Sequence, residues 1–309
     1  MEDVFTALLR QATYFEALKL GAAVRFQQLT KDLDAEIRAV FQTAPETFAG
    51  MPRRDFNAFV AELRRTVIDT YQSRATVLVN ETRKLIQAET AMYQRIFRAD
   101  TGKRLVAPTN AELWAKVRNA INPATGLSFE KQMTAFRNSG LNLIEQAVRR
   151  GYADKLTAIE TLTSIRGTAA AGYSNGVFRR INAWAGSMSN VAYSHAHSVT
   201  KDRIAARYYN EYEWVSILDE ATTEICEDRH GEVYRYGEGP IPPAHYGCRS
   251  ETVPVNPEDT ERAESLVEWL EQQPSEYLSD LFKGGDRTLD KVKVITLDQF
   301  KDKLEIILV

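Results

Sequence analysis

Apolar residues recur at three- and four-residue spacing through most of the first 100 positions. Val4, Leu8, Phe15, Leu18, Phe26, Leu29, Leu33, Ile37 and Val40 form one stripe, with Ala12 and Ala22 filling it. That spacing lines one helix face, so residues 3–42 are expected to make one long amphipathic helix. Pro45, Gly50 and Pro52 interrupt it. A second stripe then runs through Phe56, Val60, Leu63, Val67, Tyr71, Leu78, Leu85, Met92 and Ile96. Two such helices joined by a short Pro/Gly loop should pack antiparallel as a hairpin. At 1.5 Å per residue a ~40-residue helix reaches about 60 Å, long enough to extend along a neighbouring subunit. The stripes are wide, which favours a bundle over a coiled-coil seam.

Downstream the pattern is punctuated more often. Gly102 and Pro108 precede Thr109-Asn110-Ala111-Glu112, a capping box for a helix through Ile121. Asn122-Pro123 and Gly126 end it, and shorter helices follow, expected to break at Gly140, Gly151 and Gly167. Residues 177–209 are expected to form another long helix, carrying Phe178, Ile181, Trp184, Met188, Val191 and Ile204. From Trp214 the period changes to two, at Trp214, Ser216 and Leu218 and again at Val233, Tyr234 and Tyr236. Dense turn residues surround these positions: Gly231, Gly237, Gly239, Pro240, Pro242, Pro243 and Gly247. Residues 214–255 therefore predict a small module of short strands. Its expected core is Trp214, Leu218, Val233, Tyr236 and Val253, packed on the 177–209 helix. Asn256-Pro257-Glu258-Asp259 then starts a helix that stops near Pro274. Gly284-Gly285 reads as a hinge, and residues 291–309 as a short strand plus a helix.

The expected fold class is mainly α, a long helical hairpin and helical bundle with a small β-rich, turn-rich module near the C-terminus (α+β). Four segments follow: 1–125, the hairpin and next helix; 126–213, the bundle; 214–255, the module; and 256–309, a helical segment with a short strand.

Charge and cysteine content narrow the function classes. Residues 1–150 carry 22 Lys/Arg against 16 Asp/Glu, and residues 151–309 carry 17 against 26. Such a split could orient the protein between unlike partners, although unevenly solvated faces are the plainer reading. Dibasic steps at Arg53-Arg54, Arg64-Arg65, Arg83-Lys84, Lys103-Arg104 and Arg149-Arg150 could track phosphates, but no nucleic-acid module contains them. No apolar run approaches the ~18 residues that span a bilayer. The leading MEDVFTALLR has acids where a signal peptide needs bases, and two cysteines are too few for a disulfide framework. A soluble protein made inside the cell is expected.

The candidate chemistry lies in the module. Cys226-x3-His230 and His245-x2-Cys248 are two ligand pairs joined by a turn-rich loop, and two sulfurs with two imidazoles suit tetrahedral zinc. The plain alternative is two small buried thiols with hydrogen-bonded histidines. No cofactor is expected unless those four residues take up zinc. Thiolate catalysis is disfavoured, because Asp219, Glu220, Glu224, Glu227 and Asp228 would raise the Cys226 pKa. His195-x-His197 points to two helix faces and cannot chelate one ion, so both read as packing or surface histidines. Phosphate-loop, dinucleotide and zinc-protease motifs are absent. The chain is therefore not expected to be an enzyme. The alternative is a metal-dependent hydrolase or nuclease built on the Cys/His module.

The module also carries a resemblance. Trp214, Asp219, Thr222, Cys226, Gly231, Pro242-Pro243, His245, Cys248 and Arg249 reproduce a tryptophan-led strand, Asp-x-x-Thr, a Gly-led strand and Pro-Pro-x-His-x-x-Cys-Arg. This pattern resembles the C-terminal signature of the phage head morphogenesis, or minor head protein, family typified by the phage Mu protein F-like domain. Residues 192–214 are similar to the family's helical approach to the module only in outline. Many members carry further cysteines where this chain has Thr223 and Ser250, so a four-cysteine site is excluded and a metal would have to recruit His230. The resemblance implies a structural minor head protein of a tailed phage or prophage, found in the virion at the head interior or portal vertex, and in host cytoplasm during assembly. It implies portal and capsid proteins as partners, a homo-oligomer around a ring, and a weak non-specific DNA contact or ejection with DNA.

Overall fold

Helices α1 (Val4–Phe26) and α2 (Gln28–Gln42) realise the first stripe in the computed structural model, which describes residues 3–255, 265–283 and 292–307. The expected single helix is interrupted at Gln27. Its carbonyl accepts both the Thr30 N–H at 3.1 Å and the Thr30 hydroxyl at 2.7 Å, tightening one turn to three-residue spacing. Helix α3 (Arg53–Thr101) carries the second stripe and ends at Gly102, where φ is +67°.

The chain folds as two compact units built from interleaved segments. One comprises residues 1–22, 80–129 and 190–309, and the other residues 23–79 and 130–189. In the second unit α2 packs antiparallel on the first half of α3. Phe41 meets Phe59 edge-on at 5.2 Å, and Asp32 pairs with Arg74. Helix α5 (Phe129–Ala153) adds Phe136 against Tyr71 at 5.2 Å, and Glu145 to Arg64 at 2.6 Å. Helix α6 (Ala158–Arg166) starts on a Thr157/Glu160 capping box and ends at Gly167, as its sequence requires.

Two expected breaks do not occur: α5 runs straight through Gly140 and Gly151. These glycines are there for space. A Cβ on Gly140 would lie 1.8 Å from the Tyr71 hydroxyl oxygen, and one on Gly151 would lie 2.2 Å from Thr161 Oγ1. Helix propensity alone would favour Gly140→Ala by about 1 kcal/mol. Tyr71 packs edge-on against Phe136, so overpacking should reverse the sign and destabilise by about 1–3 kcal/mol. Urea unfolding of the variant checks this; a gain in stability would mean that Tyr71 moves freely.

In the first unit α1 meets the second half of α3, Gln11 donating to Glu89 at 3.1 Å. Helix α4 (Asn110–Asn119) opens on the expected Thr109/Glu112 capping box. Helix α7 (Val177–Ala205) contributes residues 190–205 and stops short of the expected position 209. A three-stranded antiparallel sheet follows, β1 (Glu211–Val215) lying between β2 (Val233–Arg235) and β3 (Glu251–Val255). Tyr212 faces Tyr234 on one side, and Trp214 faces Thr252 on the other.

The module core is corrected at two positions. Trp214 and Val253 are buried and Tyr236 is half-buried, as expected, but Leu218 is 37% and Val233 48% exposed. β1 ends at Val215, and Leu218 sits in a turn at φ +57°. β2 is an edge strand of three residues, so alternation that turns Tyr234 towards Tyr212 turns Val233 to solvent. A short helix that periodicity did not reveal, α8 (Glu224–Arg229), links β1 to β2.

The start expected at Asn256-Pro257 and the Gly284-Gly285 hinge lie outside the described residues. Helix α9 (Leu266–Glu271) has its own Ser265/Glu268 capping box, with Ser265 extended, so one continuous helix to Pro274 is not formed. Helix α10 (Ser275–Leu281) follows Pro274, and the expected final helix is α11 (Leu297–Ile306). The expected strand shrinks to a single bridge between Phe282 and Val292.

Candidate functional site

Trp214 is the centre on which the module is assembled. Its side chain is fully buried, with Cys226 and Cys248 in the same core cluster. Its indole N–H donates to Ser216 Oγ at 3.0 Å, and that hydroxyl donates to the Cys226 carbonyl at 2.6 Å. Ser250 Oγ lies 3.0 Å from the same oxygen. One serine thus holds the tryptophan, α8 and the loop before β3 in a fixed relation.

Asp219, Thr222 and Arg249 form a clamp. The Asp219 backbone N–H donates to Thr222 Oγ1 at 2.9 Å, and the Thr222 hydroxyl donates back to Asp219 Oδ1 at 3.2 Å. The Arg249 guanidinium then grips both Asp219 oxygens, at 2.6 and 2.5 Å. This bidentate pairing holds the Asp219 carboxyl below the usual carboxylate range. Gly231 takes φ +78°, which a side chain would resist, and its N–H donates to the Trp214 carbonyl at 2.9 Å. Tyr212 donates to the Pro240 carbonyl at 2.5 Å, so the proline loop folds back over β1.

That fold-back brings three of the four expected ligands together. Cys226 and Cys248 Sγ lie 3.8 Å apart, and His245 Nε2 lies 3.1 Å from Cys226 Sγ. Ligand atoms of Cys226, His245 and Cys248 all lie within 4.8 Å of one another. His230 is not among them: it is the C-cap of α8, and its Nδ1 accepts the Ser216 N–H at 3.2 Å. The two sulfurs share a hydrogen bond that lowers the pKa of the Cys248 thiol and raises that of Cys226. Thr223 is the N-cap of α8 but caps nothing with its side chain, which sits 2.7 Å from His245 Nε2.

Beside this loop, and unforeseen in the sequence, is a buried charged network. His197 Nδ1 lies 2.7 Å from Glu89 Oε1, and Nε2 lies 2.6 Å from Glu251 Oε2. A neutral imidazole has only one N–H, so two carboxylate partners demand the protonated ring. Burial opposes that charge, but Glu251 and Glu89 outweigh it and raise the His197 pKa to about 9. Lys201, one turn along α7 and fully buried, pairs with the other Glu251 oxygen. Burial likewise opposes ionisation of Glu251, yet His197 and Lys201 hold its carboxyl far below the usual range. Phe15 stacks on the His197 ring at 4.1 Å. His195 is also buried, and burial lowers its pKa to about 4, so it is the neutral packing histidine expected. Glu251 thus fastens β3 onto α7, where the module was expected to dock.

The comparisons with known proteins bear on this region. Residues 141–253 match the family model described as Phage Mu protein F like protein. The match runs from α5 through α6 and α7 to β3, so it takes in most of the module and begins well upstream of it. No curated protein and no solved structure matches the chain. Through residues 141–253, with their Asp219–Arg249 clamp and cysteine–histidine loop, the chain is similar to the phage Mu protein F-like family.

Proposed function

We propose that this protein is a minor head component that docks on the portal or the inner capsid surface during assembly and stays in the virion. The observation that carries the reading is the family match over residues 141–253. Its architecture supports the same reading, since a 49-residue α3 offers an extended surface and Glu251 braces the module on α7. Among the described residues no helix is long and apolar enough to cross a membrane. The basic excess of residues 1–150 includes exposed Arg53, Arg54 and Arg65 on α3. Any DNA contact made there should be weak, losing affinity roughly tenfold or more between low and physiological salt.

Dissecting the chain at residue 150 would not test this. A 1–150 fragment ends inside α5 and lacks residues 190–205 of α7, which belong to the same unit as α1. The test therefore uses the full chain, incubated with a purified portal ring and with assembled heads, and a variant with Arg53, Arg54 and Arg65 changed to Glu. The full chain is expected to co-sediment with portal or heads, and the variant to lose DNA binding without losing that association. Failure of the full chain to bind any head component, together with DNA cleavage on adding a divalent metal, would replace this reading with the hydrolase.

A further inference from the structure

Cys226, His245 and Cys248 are positioned as metal ligands, and the arrangement can be tested by its own geometry. A tetrahedral zinc with legs of about 2.3 Å to sulfur sets its two sulfurs roughly 3.8 Å apart. Here they are 3.8 Å apart, whereas a disulfide needs about 2.05 Å. His245 Nδ1 donates to the Tyr246 carbonyl at 2.8 Å, which fixes the tautomer and leaves the Nε2 lone pair facing both Cys226 Sγ at 3.1 Å and the Thr223 hydroxyl at 2.7 Å. Histidines that hold metals are oriented in this way by their other nitrogen.

The ligands are also fixed through their backbones. Ser216 holds the Cys226 carbonyl, and Lys19 Nζ donates to the Cys248 carbonyl at 3.2 Å. Both sulfurs are buried against Trp214, while His245 and Thr223 are half-exposed, so one side of the cluster faces solvent. Glu224 and Glu227 on α8 add negative charge around a cation.

We propose that Cys226, His245 and Cys248 form a three-ligand site for a thiophilic divalent cation of the zinc class, with the fourth position open beside Thr223 and with His230 taking no part. Bound there, the ion would supply a cross-link between α8 and the proline loop. The proposal rests on the ligand geometry alone and stands or falls separately from docking on a phage head.

The test is metal content of the full-length chain, purified reduced and supplied with zinc, measured by elemental analysis and by the thiolate-to-metal charge-transfer band on cobalt substitution. The wild type and His230→Gln are expected to hold about one equivalent. Cys248→Ser and His245→Gln should hold less than about one tenth of that. Cys248 is buried and its variant could fail to fold, whereas His245 is half-exposed; His245→Gln, with circular dichroism to confirm helicity, therefore decides the matter. Zinc lost in His230→Gln, zinc retained in His245→Gln, or reduced wild-type protein that binds no zinc and shows no cobalt–thiolate band would each overturn the site. So would a mass lower by two hydrogens in protein purified without oxidant, since the sulfurs would then be committed to each other.

Discussion

Glu251→Gln is expected to destabilise the first unit by about 3–5 kcal/mol, because it leaves buried cationic partners facing a neutral amide. His197 and Lys201 both depend on this carboxylate, and neither has water to turn to. Thermal unfolding of wild type and variant measures the effect, and a loss below about 1 kcal/mol would mean the network is not charged as its geometry requires. The same network sets a pH window. His197 binds its proton more tightly in the folded chain, so its contribution is complete below about 6.5 and is lost as pH rises through about 9. The Glu251 contribution is present above 4.5 and is lost as pH falls below it. Lys201, held below its usual 10.5 by burial, acts oppositely and restores some stability as pH climbs towards that value. Wild-type Tm should therefore fall between pH 6.5 and 9, and that slope should be largely absent in His197→Gln. Parallel slopes in the two proteins would reject the assignment.

Trp214→Ala should cost about 3–5 kcal/mol, the range for emptying a fully buried aromatic site. The loss would exceed simple burial in its consequences. The indole N–H on Ser216 is removed, and the Arg229 guanidinium, 5.1 Å from the ring centroid, loses its aromatic face. Since Ser216 also holds the Cys226 carbonyl, α8 should loosen, and the two thiols should react faster with a maleimide probe. Trp214→Phe keeps most of the volume and should cost clearly less. Equal losses for Ala and Phe would show that the hydrogen bond, rather than packing, dominates.

The helices were legible wherever a stripe is long and one face is buried, as along α1, α2 and α3, or where a capping box such as Thr109/Glu112 marks a start. The convergence of Cys226, His245 and Cys248 was legible too, because proline and glycine punctuation forced the loop to return. His230 was misplaced for a local reason: Cys226 lies in the first turn of the six-residue α8, and His230 is its extended C-cap, which leaves on another heading. Six residues, EICEDR, are too few to show a period. Gly140 and Gly151 look like breaks when a glycine is judged by propensity alone, since the reason for each is a side chain far away in sequence. The buried network did leave a trace: Gln11 sits between Leu8 and Phe15 in the first stripe, and Glu89 between Leu85 and Met92 in the second. A polar group inside an apolar stripe requires a buried partner, and the partners here are up to 186 residues distant.

That distance also sets a clock. Gln11 emerges from the ribosome long before His197, and 186 residues take on the order of 10–40 s to synthesise at bacterial and eukaryotic speeds. Throughout that interval the apolar face of α1 has no residues 190–205 to cover it, whatever the segment from 23 to 79 has already achieved. A nascent chain of this protein therefore passes through a prolonged sticky stage, and its yield should rise with chaperone supply and fall sharply when translation stalls between positions 80 and 190.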